Sequence, residues 1–218
     1  MIICLSGQKR AGKDLSADIL VSKANFQKLS LAEPIRELCM EIFGIPFAAF
    51  TNDNLKEKPF VRPYILEEFN IDDIVVYVED KWDMPVSDEI LNNMRTFAGT
   101  EFLHPRHILQ FVGTELLRNN IDTDIFLKLA DRRIENMPGH VVITDCRFSN
   151  EREWFKKQGA VICLIKRPQL VSSDLHASEN DLGTDDDYDV IMTNNGTLDG
   201  FKIDIEEWIA TKLNRRSF

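Results

Sequence analysis

The chain has 218 residues, which against roughly 150 per domain allows one large domain or a core carrying a sizeable insertion. With 44% hydrophobic and 28% charged residues it falls among ordinary globular proteins, which excludes the disordered, collagen-like and membrane classes. Lys and Arg total 26 against 36 Asp and Glu, a net charge of −10, and such a field repels a nucleic-acid backbone.

The first apolar burst, Ile2 to Leu5, ends in Ser6-Gly7 and leads to Lys13–Lys23, where Leu15, Ile19 and Leu20 recur at helical spacing. This reads as strand, turn, helix. A second burst, Phe26 to Leu31, precedes Glu33-Pro34, where proline in a first turn suits a helix through Ile35, Leu38, Cys39, Ile42 and Phe43 to Gly44. From 45 to 105 aromatic, proline and acidic residues replace the periodicity, with one β-like run, Ile74-Val75-Val76-Tyr77-Val78, and a helix expected from Asp88 to Phe97. We read this stretch as an insertion. Periodicity returns at Arg106, where Ile108, Leu109, Phe111, Val112, Leu116 and Leu117 mark one helix and a second runs from about Asp124 to Glu135.

Val141 to Asp145 reads as a buried strand, Asn150 to Gln158 as a helix and Ala160 to Ile165 as a second buried strand. Gln169 to Asp187 lacks periodicity and carries Asp185-Asp186-Asp187, the pattern of an exposed, solvated loop. A last strand, Tyr188 to Thr193, and a helix through Phe201, Ile205, Trp208 and Leu213 complete the chain. Continuous apolar runs separated by helices predict an α/β fold, with about five parallel strands covered on both faces. Cys4, Cys39, Cys146 and Cys163 match neither a metal spacing nor a disulfide framework and read as buried free thiols. No run reaches the ~18 apolar residues of a membrane span. The N-terminal apolar run is too short for a signal peptide, so a cytoplasmic location is expected.

Gly7-Gln8-Lys9-Arg10-Ala11-Gly12-Lys13 satisfies G-x-x-x-x-G-K between a strand and a helix, the context that the motif requires. Glycines there let backbone N–H groups turn toward phosphate oxygens at a helix N-terminus, and the lysine reaches the β and γ phosphates. The residue expected to be Ser or Thr is Asp14, a carboxylate able to hold Mg²⁺ directly or through water, or to pair with a cation. Asp145, ending a strand, is the candidate distal carboxylate for the same metal, and a helix cap is its alternative role. Arg147, two residues on, is within reach of a phosphate.

The loop together with Asp14 resembles the G-x-K-R-x-G-K-D of phage-type deoxynucleoside monophosphate kinases, a branch of the P-loop kinase superfamily. Leu29-Ser30-Leu31-Ala32-Glu33-Pro34-Ile35-Arg36 is similar to that family's second-strand motif, and Leu109-Gln110-Phe111-Val112-Gly113-Thr114-Glu115 to its L-Q-x-x-G-T-[DE] helix. Asp145-Cys146-Arg147 resembles its D-x-R, Lys166-Arg167-Pro168 with His176-Ala177-Ser178-Glu179 its lid, and Asn194-Asn195-Gly196-Thr197-Leu198 its N-[ND]-G-[ST]-L turn.

The resemblance implies a P-loop kinase three-layer sandwich. Its core would be 1–44 and 106–218 with a lid near 168–187, and 45–105 would be an insertion binding the acceptor nucleotide. It further implies ATP as donor on Gly7, Gln8, Lys9, Arg10, Ala11, Gly12, Lys13 and Asp14, with Asn195, Gly196 and Thr197 beside the adenine and Mg²⁺ near Asp14 and Asp145. Lys13, Arg147, Arg167 and Asp145 would be catalytic. Ser30, Pro34, Arg36, Lys56, Arg106, Gln110, Thr114 and Arg118 would meet the deoxynucleoside monophosphate, each arginine having a surface ion pair as its plainer role. His176 and Glu179 would order the lid. Small nucleotides are the implied partners, with no nucleic acid or membrane, in a monomer or homodimer. The loop and the Pro34 segment also occur in animal phosphomevalonate kinases, and the Asn-Asn-Gly turn in dephospho-coenzyme A kinases. A kinase for another phosphorylated small molecule, or an ATP-binding module without catalysis, are therefore the alternatives.

Overall fold

The computed structural model describes residues 1–169 and 182–213. In chain order the elements are β1 (Ile2–Ser6), α1 (Lys13–Ala24), β2 (Phe26–Leu29), α2 (Glu33–Phe43), α3 (Phe47–Thr51), α4 (Asp53–Lys56), β3 (Tyr64–Ile65), α5 (Glu68–Trp82), α6 (Asp88–Arg95), β4 (Glu101–Phe102) and α7 (Pro105–Phe111). There follow a π-helix (Val112–Arg118), α8 (Ile125–Glu135), β5 (His140–Ile143), α9 (Ser149–Lys157), β6 (Val161–Lys166), β7 (Val190–Thr193) and α10 (Leu198–Trp208). They form two compact units, one of Met1–Leu31 with the chain from Ala130 onward, the other of Ala32–Leu129.

The first unit is built on a five-stranded parallel sheet of order β2-β5-β1-β6-β7, the α/β architecture expected of the sequence. Ile3, Cys4 and Leu5 of β1 are all at most 2% exposed, because a central parallel strand is covered on both faces. Ile3 and Leu5 share a core with Val142, Cys163 and Ile165 from neighbouring strands, Ala17 and Leu20 of α1, and Phe201 and Ile205 of α10. Since β1 pairs with β5 on one side and β6 on the other, sheet growth reverses there. Its carboxyl end therefore opens on a crevice, the usual ligand position in such sheets.

The second unit is mostly helical, with one antiparallel pair in which Tyr64 faces Phe102 and Ile65 faces Glu101. The run Ile74–Val78, expected as a strand, lies inside the 15-residue helix α5. Ile71, Ile74, Val75, Val78 and Trp82 are its buried apolar residues, at helical spacing, while Val76 is exposed. That burial overrides the β preference of branched side chains. The ends are fixed by a capping box between Glu67 and Asn70 and by Asp83 in the left-handed conformation. The unit is larger than 45–105 because Ile35, Leu38, Cys39 and Phe43 of α2, and Ile108, Val112, Leu116 and Leu117 further on, pack into one core with Phe50, Leu66 and Phe102. The helix expected through Leu117 is present but widens to π geometry from Val112, across the Gly113-Thr114-Glu115 segment.

All four cysteines are buried and free. Burial pushes the thiols of Cys163 and Cys39 up, that of Cys163 to about 12. Among the described residues no helix is long and apolar enough to cross a membrane.

Candidate phosphate-binding site

At the carboxyl end of β1 the chain makes a tight loop before entering α1. Gly7 has φ +138°, and a Cβ there would overlap the carbonyl oxygen of Ile165 on β6, so only glycine fits. Ala11 N–H donates to Gln8 O at 3.1 Å, with Arg10 in the left-handed region at φ 64°. Gly12 has φ +120°, and its Cβ would lie 2.9 Å from Phe201 Cε1 and 3.0 Å from Asn194 Nδ2. It stands at the N-cap of α1 with no side chain to cap the helix. The first-turn N–H groups, with their positive helix end, therefore face the loop interior.

Lys13 is 8% exposed, and its Nζ donates to Gly7 O at 2.6 Å and Gln8 O at 2.8 Å. Its own loop thus holds the ammonium where helix and loop converge, an arrangement suited to an anion. Asp14 is exposed in the first turn of α1.

Asp145 is fixed by the ends of two ladders. Thr144 N–H bonds Leu29 O at 3.0 Å on the β2 side, and Cys146 N–H bonds Leu5 O at 3.2 Å on the β1 side. Between them the Asp145 carboxylate accepts from Leu31 N–H and from Ser30 Oγ, both at 2.7 Å. Ser30, expected near the acceptor, is thus a partner of Asp145. The helix-cap role belongs to Glu151, whose Oε2 accepts from Arg147 N–H at 2.6 Å and Phe148 N–H at 3.1 Å. Arg147 O accepts from Arg152 Nη1 at 2.7 Å.

The opposite side of the loop is lined from β6 and β7. Arg167 Nη1 donates to Arg10 O at 3.2 Å, and Asn194 Nδ2 donates to Ala11 O at 2.9 Å. Asn195, Gly196 and Thr197 are exposed. Gln169 donates to Asn195 O at 3.1 Å, and Thr197 Oγ1 caps α10 by accepting from Gly200 N–H at 3.1 Å. Lys166 pairs with Asp185 at 2.5 Å, and Asp185–Asp187 forms a short exposed 3₁₀ turn. His176 and Glu179, expected to order a lid, lie outside the described residues. The structure therefore brings together Gly7 to Asp14, Ser30, Asp145, Arg167 and the Asn194 turn at one edge of the sheet.

In the second unit Pro34 is buried in the first turn of α2 and Arg36 is half-buried two residues on. Arg106 lies 3.5 Å from Glu57, next to Lys56 at the end of α4, which packs on α7. Gln110 and Thr114 are half-buried, with the widened turn beginning between them. Burial raises the pKa of the neighbouring Glu115 carboxyl, opposed by its backbone hydrogen bond and by His107. Arg118 lies over the Phe126 ring, with Cζ 5.1 Å from the centroid, a cation–π contact.

Glu151 and Arg152 are the functional candidates that sequence reasoning passed over, and Asn194, quoted there only as part of its turn, is placed on the loop by its bond to Ala11 O. The signal for Glu151 was its place at the third position of α9; for Asn194, the head of the Asn-Asn-Gly turn.

A parallel sheet whose central strand runs through a glycine loop into a helix beginning with lysine is the P-loop kinase fold. The family description "Deoxynucleotide monophosphate kinase" matches residues 1–61 and 64–205, and the chain belongs to that family. A protein of Acanthamoeba polyphaga mimivirus provisionally given the same name is 29% identical over 214 residues, 92% of each chain. The deoxynucleotide monophosphate kinase of Enterobacteria phage T4 is 25% identical over 248 residues, covering 91% of this chain and 94% of that one. The dephospho-CoA kinase from Campylobacter jejuni superposes with a TM-score of 0.43 at 13% identity, covering 100% of this chain and 98% of that structure.

Proposed function

We propose that the chain transfers the γ-phosphate of ATP to deoxynucleoside 5′-monophosphates, giving diphosphates for DNA precursor synthesis in the cytoplasm of a phage-infected bacterium. The observation that carries this reading is the family match over residues 1–61 and 64–205, which takes in the Lys13 loop, the Gln110–Glu115 helix and Asp145-Cys146-Arg147.

Both reacting groups are phosphate oxygens. The acceptor is already anionic at neutral pH, so no general base is required and catalysis reduces to alignment and charge stabilisation. The backbone from Gly7 to Gly12 and the Lys13 ammonium hold the donor phosphates. Arg147 and Arg167 stabilise the charge that develops on the transferring group, Arg167 from its place on the loop at Arg10 O. Asn195, Gly196 and Thr197 border the adenine. Ser30, Pro34, Arg36, Lys56, Arg106, Gln110, Thr114 and Arg118 serve the acceptor, with guanidinium groups for its phosphate and Gln110 and Thr114 for base or sugar.

The donor set fits Mg²⁺, which favours carboxylate, phosphate and water oxygens. Asp14 is exposed and has a carboxylate to offer, whereas Asp145 already accepts from Ser30 and Leu31 and suits a metal-bound water better than direct ligation. The ion, when bound, supplies positive charge to the phosphate oxygens.

The test is an ATP-to-ADP assay with Mg²⁺, offering dGMP, dTMP, dCMP, dAMP, their ribose forms and mevalonate 5-phosphate. ADP formed with one or more deoxynucleotides establishes the activity. Turnover only with mevalonate 5-phosphate would refute it, and ATP binding without turnover on any acceptor would point to a binding module.

A further inference from the structure

Helix α9 carries a pair of charged residues whose burial calls for a reason. Glu151 is 2% exposed and Arg152 is 5% exposed, although ionised side chains are almost never so buried unless paired. Both bond the backbone of one residue, Arg147, on the two peptide units that flank it. Glu151 Oε2 takes the N–H of Arg147 at 2.6 Å, and Arg152 Nη1 gives to the carbonyl of Arg147 at 2.7 Å. Residue 147 is thus gripped at its nitrogen and its oxygen by adjacent side chains, leaving the half-buried Arg147 side chain on a backbone with little freedom to pivot.

The same guanidinium reaches two other parts of this unit. It lies over the Tyr188 ring, with Cζ 5.5 Å from the centroid. The backbone at Gly183 passes so close that a Cβ there would sit 2.9 Å from Arg152 Nη2. Tyr188 in turn shares a hydrogen bond at 3.2 Å with Ser6 Oγ, the residue before Gly7, and donates to Leu182 O. A continuous set of contacts therefore runs from the end of β1, through Tyr188, to Arg152 and the Arg147 peptide. A planar fork can stack on an aromatic ring and donate in its own plane at the same time; a lysine ammonium cannot.

We propose that Arg152, assisted by Glu151, is a positioning residue: it fixes the Arg147 turn against the phosphate loop and the Leu182–Tyr188 segment, so that Arg147 is held where the transferring phosphate needs it. The proposal rests on the kinase reading above, in which Arg147 acts on that phosphate. Arg152 touches no nucleotide in this scheme and works only through Arg147.

The test is a double-mutant cycle on kcat in the full chain, comparing wild type, Arg152→Lys, Arg147→Ala and the double variant with ATP and the best deoxynucleotide acceptor. Arg152→Lys keeps the charge and the stem, which protects folding, and thermal melts report whether it does. The expected result is a fall in kcat on the order of 10- to 100-fold with Arg152→Lys, KM for either nucleotide within about twofold, and no further fall when the same change is made in Arg147→Ala. Glu151→Gln, which keeps an oxygen acceptor for the Arg147 N–H, is expected to lose less than Arg152→Lys. Additive effects of Arg152→Lys and Arg147→Ala, or a loss confined to the melting temperature, would overturn the positioning role while leaving the kinase reading intact. Absence of wild-type turnover on every acceptor would overturn the kinase reading, and this role with it.

Discussion

Asp145 is the residue whose replacement best separates a structural from a metal-directed role. Its carboxylate accepts two hydrogen bonds of 2.7 Å, from Ser30 Oγ and Leu31 N–H. Each bond to a charged acceptor is worth about 1.5–3 kcal/mol, against about 1 for a neutral one. In Asp145→Asn the amide oxygen still serves Leu31, and the NH₂ donates to Ser30, whose hydroxyl reverses to accept. Both bonds survive as neutral ones, and with water moderating the difference at this half-buried site the cost is about 1–2 kcal/mol. Asp145→Ala removes both and strands the Leu31 N–H; with the site half-buried and water partly replacing the lost acceptor, the cost is about 2–4 kcal/mol. At roughly 2–4 °C per kcal/mol for a chain of this size, Asn should melt about 2–8 °C and Ala about 4–16 °C below wild type. Activity should order differently: Asn and Ala both lose the charge, so the Mg²⁺ concentration for half-maximal turnover should rise in both while only Ala is badly destabilised. Thermal denaturation of the three proteins and a Mg²⁺ titration of each at saturating nucleotide give the two orderings. An Asn variant with the wild-type metal titration would refute the metal role, and an Ala variant melting with wild type would refute the hydrogen-bond argument.

Lys13→Ala removes the charge aimed at the donor phosphates, so kcat should fall by on the order of 10²–10³-fold with the circular dichroism spectrum unchanged; a retained kcat would refute the assignment. Gly7→Ala forces a Cβ onto the Ile165 carbonyl at φ +138°, which should cost about 3 kcal/mol or more. A wild-type urea midpoint would contradict that. His104 accepts the His107 N–H through Nδ1 at 3.2 Å, capping α7, which requires that nitrogen to be unprotonated. Burial, and then His107, lower its pKa from the ordinary 6.5, with Glu57 opposing and Arg106 adding to the shift. A folded value below the unfolded one means that the contribution is whole above the unfolded pKa and is lost as pH falls from there through the folded pKa. His104→Asn retains a capping acceptor and should flatten that part of the melting curve against pH; an unchanged acid slope would show that His104 does not set it.

The first unit was legible because both of its signals are local. A central strand buried on both faces must be apolar throughout, as Ile2–Leu5, Val141–Ile143 and Val161–Ile165 are, and a loop that folds back on a neighbouring carbonyl must carry glycine at Gly7. The second unit was not, because its core is assembled from short pieces. Phe50 on the five-residue α3 and Leu66 between elements are both fully buried, yet neither belongs to a run long enough to show a period. Ile74–Val78 misled for a related reason: five apolar, mostly β-branched residues fit either geometry, and only Ile71 before them and Trp82 after reveal the 3.6-residue face. At the site the failure was one of charge. Glu151 and Arg152 carry no signal of their burial in the sequence, because ionised residues on a helix usually face solvent, and the backbone at Arg147 that takes their hydrogen bonds is announced by no pattern of side chains.

Backbone partners of this kind bear on how a chain of net charge −10 can take up anions. Fields from exposed charges fade over roughly 8 Å at physiological salt, so the acidic surface sets what happens far from the loop and the loop decides what happens within it. On the proposed reading the attraction there comes from helix N–H groups, the Lys13 ammonium held by Gly7 and Gln8, and Arg167 resting on Arg10 O. A ligand must be small enough to place its whole charge inside that range, as a nucleotide triphosphate is. An extended polyanion would leave most of its phosphates facing carboxylates. On the proposed kinase reading the excess of acid should act with the loop as a size filter on anions, and raising the salt should weaken the filter more than it weakens the loop.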